Sequence, residues 1–346
     1  MSVDKNYCMS SFLAVRYIAD PNIEFAENMK HYKINCLSED ELISCYSPLE
    51  IDKTIKNILS KYDLSKAGLM LSGGMDSAIL ASYMPKGTKA YTARCKANKC
   101  IDETERAAYY CKQYGLEHVI VDIGWEDYLE CMDALMLNDG SPIFANEPQV
   151  YNLVKRMVQD GVELIVYGDN ADMAFGGMDK LLSRDWTYEE WKERYTFLKP
   201  SDALINWVDM DSIYEKYRIG DKGIDYVLFL KEVFASSSSG AYINAFRLAG
   251  LDYVDPYAYM KMNTPLDLAR VRSGDSKYLI RELFKMKYPN CQVPEKIAMA
   301  RAVDEWLYDW QGPTRDEFIP GCAANMTGEQ KFLLYSLERF LNLIEG

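Results

Sequence analysis

The stretch Gly68-Leu-Met-Leu-Ser-Gly-Gly-Met-Asp-Ser77 decides the fold of this chain. Its apolar run at 69–71 predicts a short buried strand, two glycines break that strand, and an apolar helical pattern follows at 77–84. A strand, a glycine turn and a helix in this order aim several backbone N–H groups at one point, as phosphate-binding loops do. Gly73 and Gly74 let the backbone bend sharply and approach a ligand without a Cβ in the way.

Three side chains of this loop indicate what it binds. Ser72 and Ser77 offer hydroxyl donors to phosphate oxygens. Asp76 is a carboxylate beside them, and a carboxylate repels a phosphate unless a divalent cation lies between the two. Because no Gly-Lys-Ser/Thr follows the glycines, the loop is not the common P-loop. The sequence therefore predicts a nucleotide whose phosphates are held through Mg²⁺.

The composition limits the kind of protein. The 346 residues are 49% hydrophobic and 26% charged, which is typical of a soluble globular protein with a large core. The 39 basic and 52 acidic residues give a net charge of −13, which repels a phosphate backbone and argues against a nucleic-acid partner. No apolar run reaches the ~20 residues of a membrane span, the first residues lack the basic-then-apolar pattern of a secretory signal, and the nine cysteines show no paired spacing. We therefore expect a cytoplasmic protein that does not associate with a membrane.

Strand and helix patterns alternate along the first half of the chain. Strands are predicted at 69–71, 90–93, 118–122 and 163–167, and helices at 51–62, 77–84, 102–114, 125–137 and 149–159. This alternation predicts an α/β fold, with a parallel sheet covered by helices on both faces. From about residue 179 the pattern is mostly helical, and a capping box at 187–190 opens a helix to residue 195. The serine-rich stretch 236–240 predicts a flexible loop over the site.

The second informative stretch is Tyr167-Gly-Asp-Asn-Ala-Asp-Met-Ala-Phe-Gly-Gly177, which follows the fourth strand. Asp169 and Asp172 lie three residues apart on a turn with glycines on both sides, which suits the binding of a cation. On its own, the stretch equally fits a solvated acidic turn. Ligands of parallel sheets bind at the carboxyl edge of the strands, so we expect both glycine motifs at that edge.

The two motifs together resemble one family of ATP-using enzymes. The glycine loop at 72–77 resembles the SGG-x-DS loop of the N-type ATP pyrophosphatases, and the stretch at 167–177 is similar to the SGEG-SDE-FGG element of the asparagine synthetase family. Gly250-Leu-Asp-Tyr-Val-Asp-Pro-Tyr257 and Lys277-Tyr-Leu-Ile-Arg281 are weaker likenesses to the same family. The resemblance implies an adenine nucleotide alpha hydrolase-like fold. It also implies a short N-terminal segment at 1–60 and a synthetase domain at 61–346, with an α/β core to about residue 180 and a mostly helical remainder.

The resemblance also implies roles for individual residues. Those that would bind ATP are Ser72, Gly73, Gly74, Asp76, Ser77, Ala93 and Gly168. Asp76 and Asp172 would coordinate Mg²⁺. Asp169 takes the place of the family's glutamate, which orients or deprotonates the attacking amine. Lys296 or Arg301 would supply the cation that stabilises transition-state charge, and the sequence does not choose between them.

The activity that the resemblance implies is ATP-dependent amide-bond formation. A carboxylate of a small molecule, sugar or peptide is activated as an acyl-adenylate, and ammonia or an amine then displaces AMP. The family's glutaminase nucleophile follows Met1, but position 2 is serine here and only 71 residues precede Ser72. We therefore expect no glutaminase domain, and ammonia that is free or comes from a separate glutaminase subunit. The alternatives are an intramolecular cyclase similar to β-lactam synthetase and a non-catalytic nucleotide-binding subunit.

Overall fold

The computed structural model describes residues 2–32, 34, 37–296 and 299–346. The strands, in chain order, are β1 Ser2–Val3, β2 Ile23–Glu24, β3 Ile43–Cys45, β4 Ala67–Met70, β5 Lys89–Cys95, β6 Glu117–Ile123, β7 Leu164–Val166, β8 Arg218–Ile219, β9 Gly223–Ile224, β10 Asp252–Val254 and β11 Met260–Met262. The helices are α1 Lys5–Val15, α2 Pro48–Leu59, α3 Met75–Ala81, α4 Thr104–Tyr114, α5 Trp125–Asp139, α6 Asn146–Gln159, α7 Ala171–Ala174, α8 Tyr188–Tyr195, α9 Asp211–Glu215, α10 Tyr226–Phe229, α11 Ala235–Ala249, α12 Leu268–Arg272, α13 Tyr278–Lys287, α14 Val303–Trp306 and α15 Gly328–Glu345. Within these described ranges, no helix has both the length and the apolar character needed to cross a membrane.

A parallel sheet of five strands organises the fold. Its strand order is β10-β7-β4-β5-β6, and every neighbouring pair is parallel. The chain winds from the central β4 to β5 and β6 on one side, and then crosses to β7 and β10 on the other. The carboxyl ends of β4 and β7 therefore form the topological switch point, where ligands bind in sheets of this kind. The predicted α/β fold with a parallel sheet is confirmed.

Strand β10 was missed by the sequence pattern, which found only the four strands β4 to β7. Asp252–Val254 pairs in parallel with Leu164–Val166 at the edge of the sheet. A run of three residues between Gly250 and Pro256 is too short to show an alternating pattern. The addition of this strand matters for function, because it brings the next residue, Asp255, to the carboxyl edge beside the motif that follows β7.

Two hydrophobic cores cover the two faces of the sheet. Successive side chains of β4 point in opposite directions, so Leu69 packs with α2, α3, α4 and α13, while Met70 packs with α1, α5, α6 and α15. Helix α1 is buried from Cys8 to Val15; its apolar residues up to Leu13 belong to the second of these cores, and Ala14 and Val15 belong to a third. The proposed boundary near residue 60 stays a prediction.

A third core holds the helical region that follows α7. Its centre is the fully buried Trp191, whose ring stacks on Tyr195 and meets Phe229 edge-on. The predicted capping box opens α8, since Thr187 Oγ1 accepts from Glu190 N at 3.3 Å and Glu190 Oε2 accepts from Thr187 N at 2.9 Å. This helix is confirmed at its predicted place.

The prediction of a flexible loop at 236–240 was wrong. These residues lie in α11, which continues directly from the π-helical segment Leu230–Phe234. Ser236 Oγ donates to the carbonyl of Glu232 at 2.6 Å, so its hydroxyl is satisfied by the helix itself. On the other side of the helix, the hydroxyls of Ser238 and Ser239 donate to the carboxylate of Asp169.

Candidate active site

The glycine loop after β4 is closed by hydrogen bonds between its own residues. Ser72 N donates to Ser77 Oγ at 3.0 Å, and Gly74 N donates to Ser72 Oγ at 3.1 Å. A Cβ on Gly73 would lie 2.7 Å from Glu103 Oε1 and 3.0 Å from Glu103 Cβ, so a larger residue there would have to displace the Glu103 side chain. The loop is therefore held in one conformation at the carboxyl end of the central strand.

The carboxylates of Asp76 and Asp172 meet around the ammonium group of Lys277. Lys277 Nζ lies 2.5 Å from Asp172 Oδ1 and also contacts Asp76 Oδ2. Lys296 Nζ lies 2.9 Å from Asp172 Oδ2 and donates to the carbonyl of Gly177. Only 4% of the Lys277 side chain is exposed, so its charge needs the two carboxylates as partners. We call these four charged residues the lysine–aspartate cluster.

The charged groups of the lysine–aspartate cluster shift one another's pKa values. Burial acts to raise the pKa of Asp172, but the charges of Lys277 and Lys296 bring it down to about 2. Burial raises the pKa of Asp76, and the charge of Asp172 adds to this against the effect of Lys277. Burial acts to lower the pKa of Lys277, but both carboxylates raise it above its ordinary value. Lys277 therefore stays protonated and holds Asp76 and Asp172 together.

The backbone around the lysine–aspartate cluster is adapted to it. A Cβ on Gly177 would overlap Asp172 Oδ1 and lie 2.7 Å from Lys277 Cε, so only glycine leaves room for the pair. Lys277 has a φ of 52°, which is uncommon for a residue with a side chain. Such a conformation persists only where the surrounding structure fixes it, and it is common at functional sites.

Asp169 belongs to a second network, which has no cation in direct contact among the described residues. Ser238 and Ser239 of α11 donate to its two carboxylate oxygens at 3.0 and 3.1 Å. Asp255 Oδ2 accepts from the backbone nitrogens of Asp169 and Asn170 at 3.0 and 2.8 Å. Burial, and then the charge of Asp255, raise the pKa of Asp169 to about 7, against the effect of the two serines. A carboxyl group that titrates near neutral pH suits the transfer of a proton.

Gly168 and Ala93 lie at the carboxyl edge of the sheet, as the sequence predicts. A Cβ on Gly168 would lie 3.0 Å from both Leu80 Cδ1 and Tyr257 Cε2, so the glycine lets the end of β7 approach α3. Ala93 lies in β5, two residues before the strand ends at Cys95. Their contacts with a nucleotide stay predictions.

The two predicted cationic residues, Lys296 and Arg301, lie in different surroundings. Lys296 belongs to the lysine–aspartate cluster. Arg301 instead donates to Glu329 Oε1 at 2.6 Å and to Asn146 Oδ1 at 2.5 Å, and neither partner belongs to that cluster. Of the two candidates that the sequence leaves open, Lys296 is the one brought to the predicted magnesium ligands.

Four residues of the two networks were not predicted as site residues. Lys277 lies in a helix motif that the sequence points to, but only the folded chain shows that its ammonium reaches the glycine loop. Asp255 directly follows a strand that was missed, and Ser238 and Ser239 lie in the stretch predicted as a loop. An acidic residue directly before Pro256 was the one available signal, since polar residues at strand ends often line sites in parallel sheets.

The donor set formed by Asp76 and Asp172 fits a magnesium ion. Mg²⁺ in nucleotide sites is usually held by one or two carboxylates, with phosphate and water oxygens completing its shell. Asp76 Oδ1 is buried and has no hydrogen-bond partner among the described residues, so one oxygen is available for a further ligand. Within the same residues, no group of three or more His, Cys, Asp or Glu side chains could bind a metal by itself. An ion bound here would share the two carboxylates with Lys277.

Comparison with known proteins decides the family. The model of the asparagine synthase family matches residues 63–305, which include both glycine motifs and the lysine–aspartate cluster. The chain belongs to the asparagine synthase family. A curated relative, "Putative asparagine synthetase (glutamine-hydrolyzing) 1" of Methanocaldococcus jannaschii, is 23% identical over 174 residues. The match covers 47% of this chain but only 30% of that relative, and no glutaminase domain is indicated in this chain.

Two solved structures align with parts of this asparagine synthase family member. An NH₃-dependent NAD synthetase from Campylobacter jejuni is 18% identical, with a TM-score of 0.26 over 37% of this chain and 58% of that chain. An NMN synthetase from Francisella tularensis is 13% identical, with a TM-score of 0.30 over 74% of this chain and 98% of that chain.

Proposed function

We propose that this asparagine synthase family member forms amide bonds at the expense of ATP. An oxygen of a substrate carboxylate attacks the α-phosphorus of ATP, which forms an acyl-adenylate and releases pyrophosphate. Ammonia or an amine then attacks the acyl carbon, loses a proton, and displaces AMP to leave the amide. The substrate is a carboxylate of a small molecule, sugar or peptide, and the ammonia is free or supplied by a separate glutaminase subunit.

The first step is assigned to the glycine loop and the lysine–aspartate cluster. The hydroxyls of Ser72 and Ser77 lie where a strand meets a helix, and they are suited to bind phosphate oxygens. Asp76 and Asp172 would hold Mg²⁺, which neutralises phosphate charge when bound. Lys277 and Lys296 add two positive charges at the same place, where the charge on pyrophosphate develops.

The second step is assigned to Asp169. Its pKa of about 7 means that a large fraction is ionised at neutral pH and can accept the proton that the attacking amine loses. Ser238 and Ser239 bind both carboxylate oxygens, which keeps the group in one orientation. Asp169 follows β7 three residues before Asp172, and the charge of Asp172 contributes to the raised pKa of Asp169.

One observation carries the proposal more than any other. Asp76 and Asp172 follow different strands, yet their carboxylates converge on one buried ammonium at the switch point of the sheet. A cluster of this kind has little structural advantage, because hydrophobic residues of similar volume stabilise a core at least as well. The presence of this cluster beside a glycine loop therefore favours the binding and cleavage of a nucleoside triphosphate.

The experiment that tests the proposal is the release of pyrophosphate and AMP from Mg·ATP, measured over a panel of carboxylic acids with and without ammonium. Carboxylate-dependent pyrophosphate release that yields amide only with ammonium is the expected result. The matched control is Asp76→Asn, which keeps the shape of the side chain and should release no pyrophosphate above background. Amide formation without ammonium would instead indicate an intramolecular cyclase or an amine-bearing substrate. ATP binding without turnover across the panel would favour the non-catalytic nucleotide-binding subunit.

A further inference from the structure

A cavity of about 470 Å³ lies on the side of α11 that faces away from Asp169. Residues Ser236, Ser237, Gly240 and Ala241 of α11 line it, whereas Ser238 and Ser239 contact Asp169. At 100° per residue, the first four share one face of the helix and the other two lie on the opposite face. The volume is in the range of small-molecule sites in proteins. The cavity is thus separated from the candidate active site by the thickness of one helix.

Two cations line this cavity, Arg16 and Lys216, and Lys216 forms an ion pair with Glu232 of the same cavity, so Arg16 is the one of the two without an ion pair among the described residues. The guanidinium group of Arg16 lies 4.4 Å from the centre of the Phe144 ring and 3.7 Å from that of Phe197. Its Nε is buried and has no hydrogen-bond partner among the described residues, and no carboxylate in those residues forms an ion pair with it. The two rings cover the guanidinium, and the described residues provide no hydrogen-bond acceptor for its Nε–H.

A second donor without a partner lies in the wall of the same cavity. Ser237 is 2% exposed, and its Oγ has no hydrogen-bond partner in the described part of the chain. The neighbouring Ser236 shows that this is not a general property of the helix, because its hydroxyl donates to the carbonyl of Glu232. Buried polar groups in native proteins nearly always have partners, so two orphaned donors in one cavity point to a ligand that accepts hydrogen bonds.

The remaining walls limit the charge and shape of that ligand. The carboxyl groups of Asp20, Asp139, Glu147 and Glu232 also line the cavity, and they repel an anion of higher charge such as phosphate. Burial raises the pKa of Asp139 and Glu147, so the acids nearest the interior carry less negative charge than usual. A planar carboxylate matches the fork of a guanidinium group, and Ile18 and Val233 offer apolar surface to a short hydrocarbon body.

We propose that this cavity is a second ligand site, which binds a small organic monocarboxylate through Arg16 and Ser237. The carboxylate accepts hydrogen bonds from the guanidinium group of Arg16 and from the hydroxyl of Ser237, and the apolar wall receives its hydrocarbon part. This site is separate from the place where the proposed reaction activates a carboxylate, and its occupation needs no ATP.

The proposal is tested by NMR titration of the full chain, without ATP, with straight-chain acids from acetate to hexanoate and with their neutral amides. The acids should bind at least about tenfold more tightly than the amides, because only a charged acceptor satisfies the guanidinium group. Ser237→Ala should weaken acid binding about tenfold, and Arg16→Met should weaken it about 30-fold or more. Ser236→Ala is the matched control, since its hydroxyl is already used by the helix, and it should leave binding unchanged.

Several results would overturn this assignment. One is the absence of binding by every acid of the series, and another is equal binding of acids and amides. Ser238→Ala provides a further check, because it alters the opposite face of α11. A loss of acid binding in this variant, with Ser237→Ala unaffected, would place the acids at the active site and not in the cavity. Because Ser237→Ala is a small change, the test holds even where Arg16→Met fails to fold.

Discussion

Asp169 and Asp172 are the same residue type, follow the same strand and lie three positions apart. Their surroundings nevertheless shift their pKa values in opposite directions. Asp172 faces two ammonium groups, which lower its pKa to about 2. Asp169 faces two hydroxyls and the carboxylate of Asp255, and burial with that neighbouring charge raises its pKa to about 7. The difference comes from the partners that other parts of the chain bring to this strand end.

This difference divides the work of the proposed reaction between two places. A carboxylate that is ionised at every working pH suits the binding of a cation and the phosphates it neutralises. A carboxyl group that titrates near neutral pH can take up a proton during turnover. Two titratable groups whose surroundings push their pKa values apart are the usual sign of separate roles in catalysis. The comparison can therefore be tested by changing one partner at a time.

The largest effect is expected from Lys277→Met, which removes the charge that Asp76 and Asp172 share. Pyrophosphate release should fall about 10³-fold, and the free energy of unfolding should drop by about 3 kcal/mol, because two partly buried carboxylates are left without the cation they share. Pyrophosphate assays and denaturant unfolding measure the two effects. Lys296→Met is the control, since the Lys296 side chain is 34% exposed and contacts only one of the carboxylates. This variant should lose less pyrophosphate release and less unfolding free energy than Lys277→Met. Activity of Lys277→Met within tenfold of wild type would contradict the role of the cluster.

A second expectation separates the two aspartates by reaction step. Asp172→Asn should abolish pyrophosphate release. Asp169→Asn should leave carboxylate-dependent pyrophosphate release largely intact and slow amide formation by about 10² to 10⁴-fold, the usual contribution of a proton acceptor. Single-turnover experiments that follow pyrophosphate and amide in the same sample distinguish the steps. If both variants lose both steps equally, the division of roles is wrong.

The pH dependence of amide formation should report the surroundings of Asp169. Its rate should increase with pH and level off above an inflection near 7, where the carboxylate becomes ionised. The hydroxyls of Ser238 and Ser239 stabilise the ionised form, so their replacement by alanine should move the inflection to higher pH. Ser236→Ala, on the same helix but with its hydroxyl on Glu232, should leave the profile unchanged. A profile that does not respond to either Ser238→Ala or Ser239→Ala would remove Asp169 from the proton transfer.

Much of the fold could be predicted because it depends on local pattern. Strands β4 to β7 and the helices between them follow from periodicity and glycine stops, and the capping box at Thr187 specifies the start of α8. Strand β10 could not be predicted, because three residues carry no periodic signal and the strand is stabilised by its pairing with β7. The serine stretch of α11 was misread because its composition favours loops, whereas in the folded chain Ser237 and Ser239 are buried, and Ser238 and Ser239 donate to Asp169.

The parts of the candidate site that depend on contacts between residues far apart in sequence could not be predicted. The glycine loop and the motif after β7 were found because each is a continuous stretch with a recognisable order of residues. The cluster also needs Lys277, which lies 201 residues from Asp76 in sequence, and no local pattern reports such a contact. The opposite pKa values of Asp169 and Asp172 depend on Lys277, Asp255 and two serines of α11, so a single sequence could not assign them.

The smallest expected effect is on thermal stability. The contributions of the two aspartates to stability depend on pH in opposite directions. The pKa of Asp169 is raised from its ordinary 3.8 to about 7 in the folded chain, so its contribution to stability is present below pH about 4 and is lost as the pH rises through 7. Asparagine cannot ionise, so the Tm of Asp169→Asn relative to wild type should increase by about 4 °C between pH 5 and pH 8. The pKa of Asp172 is lowered to about 2, so its contribution is present above pH about 4 and is lost only as the pH falls through 2. Asp172→Asn should therefore lower the Tm by a constant amount from pH 5 to pH 8. Thermal unfolding at both pH values checks each sign, and a Tm difference for Asp169→Asn that does not change with pH would mean that Asp169 is ionised throughout, as Asp172 is.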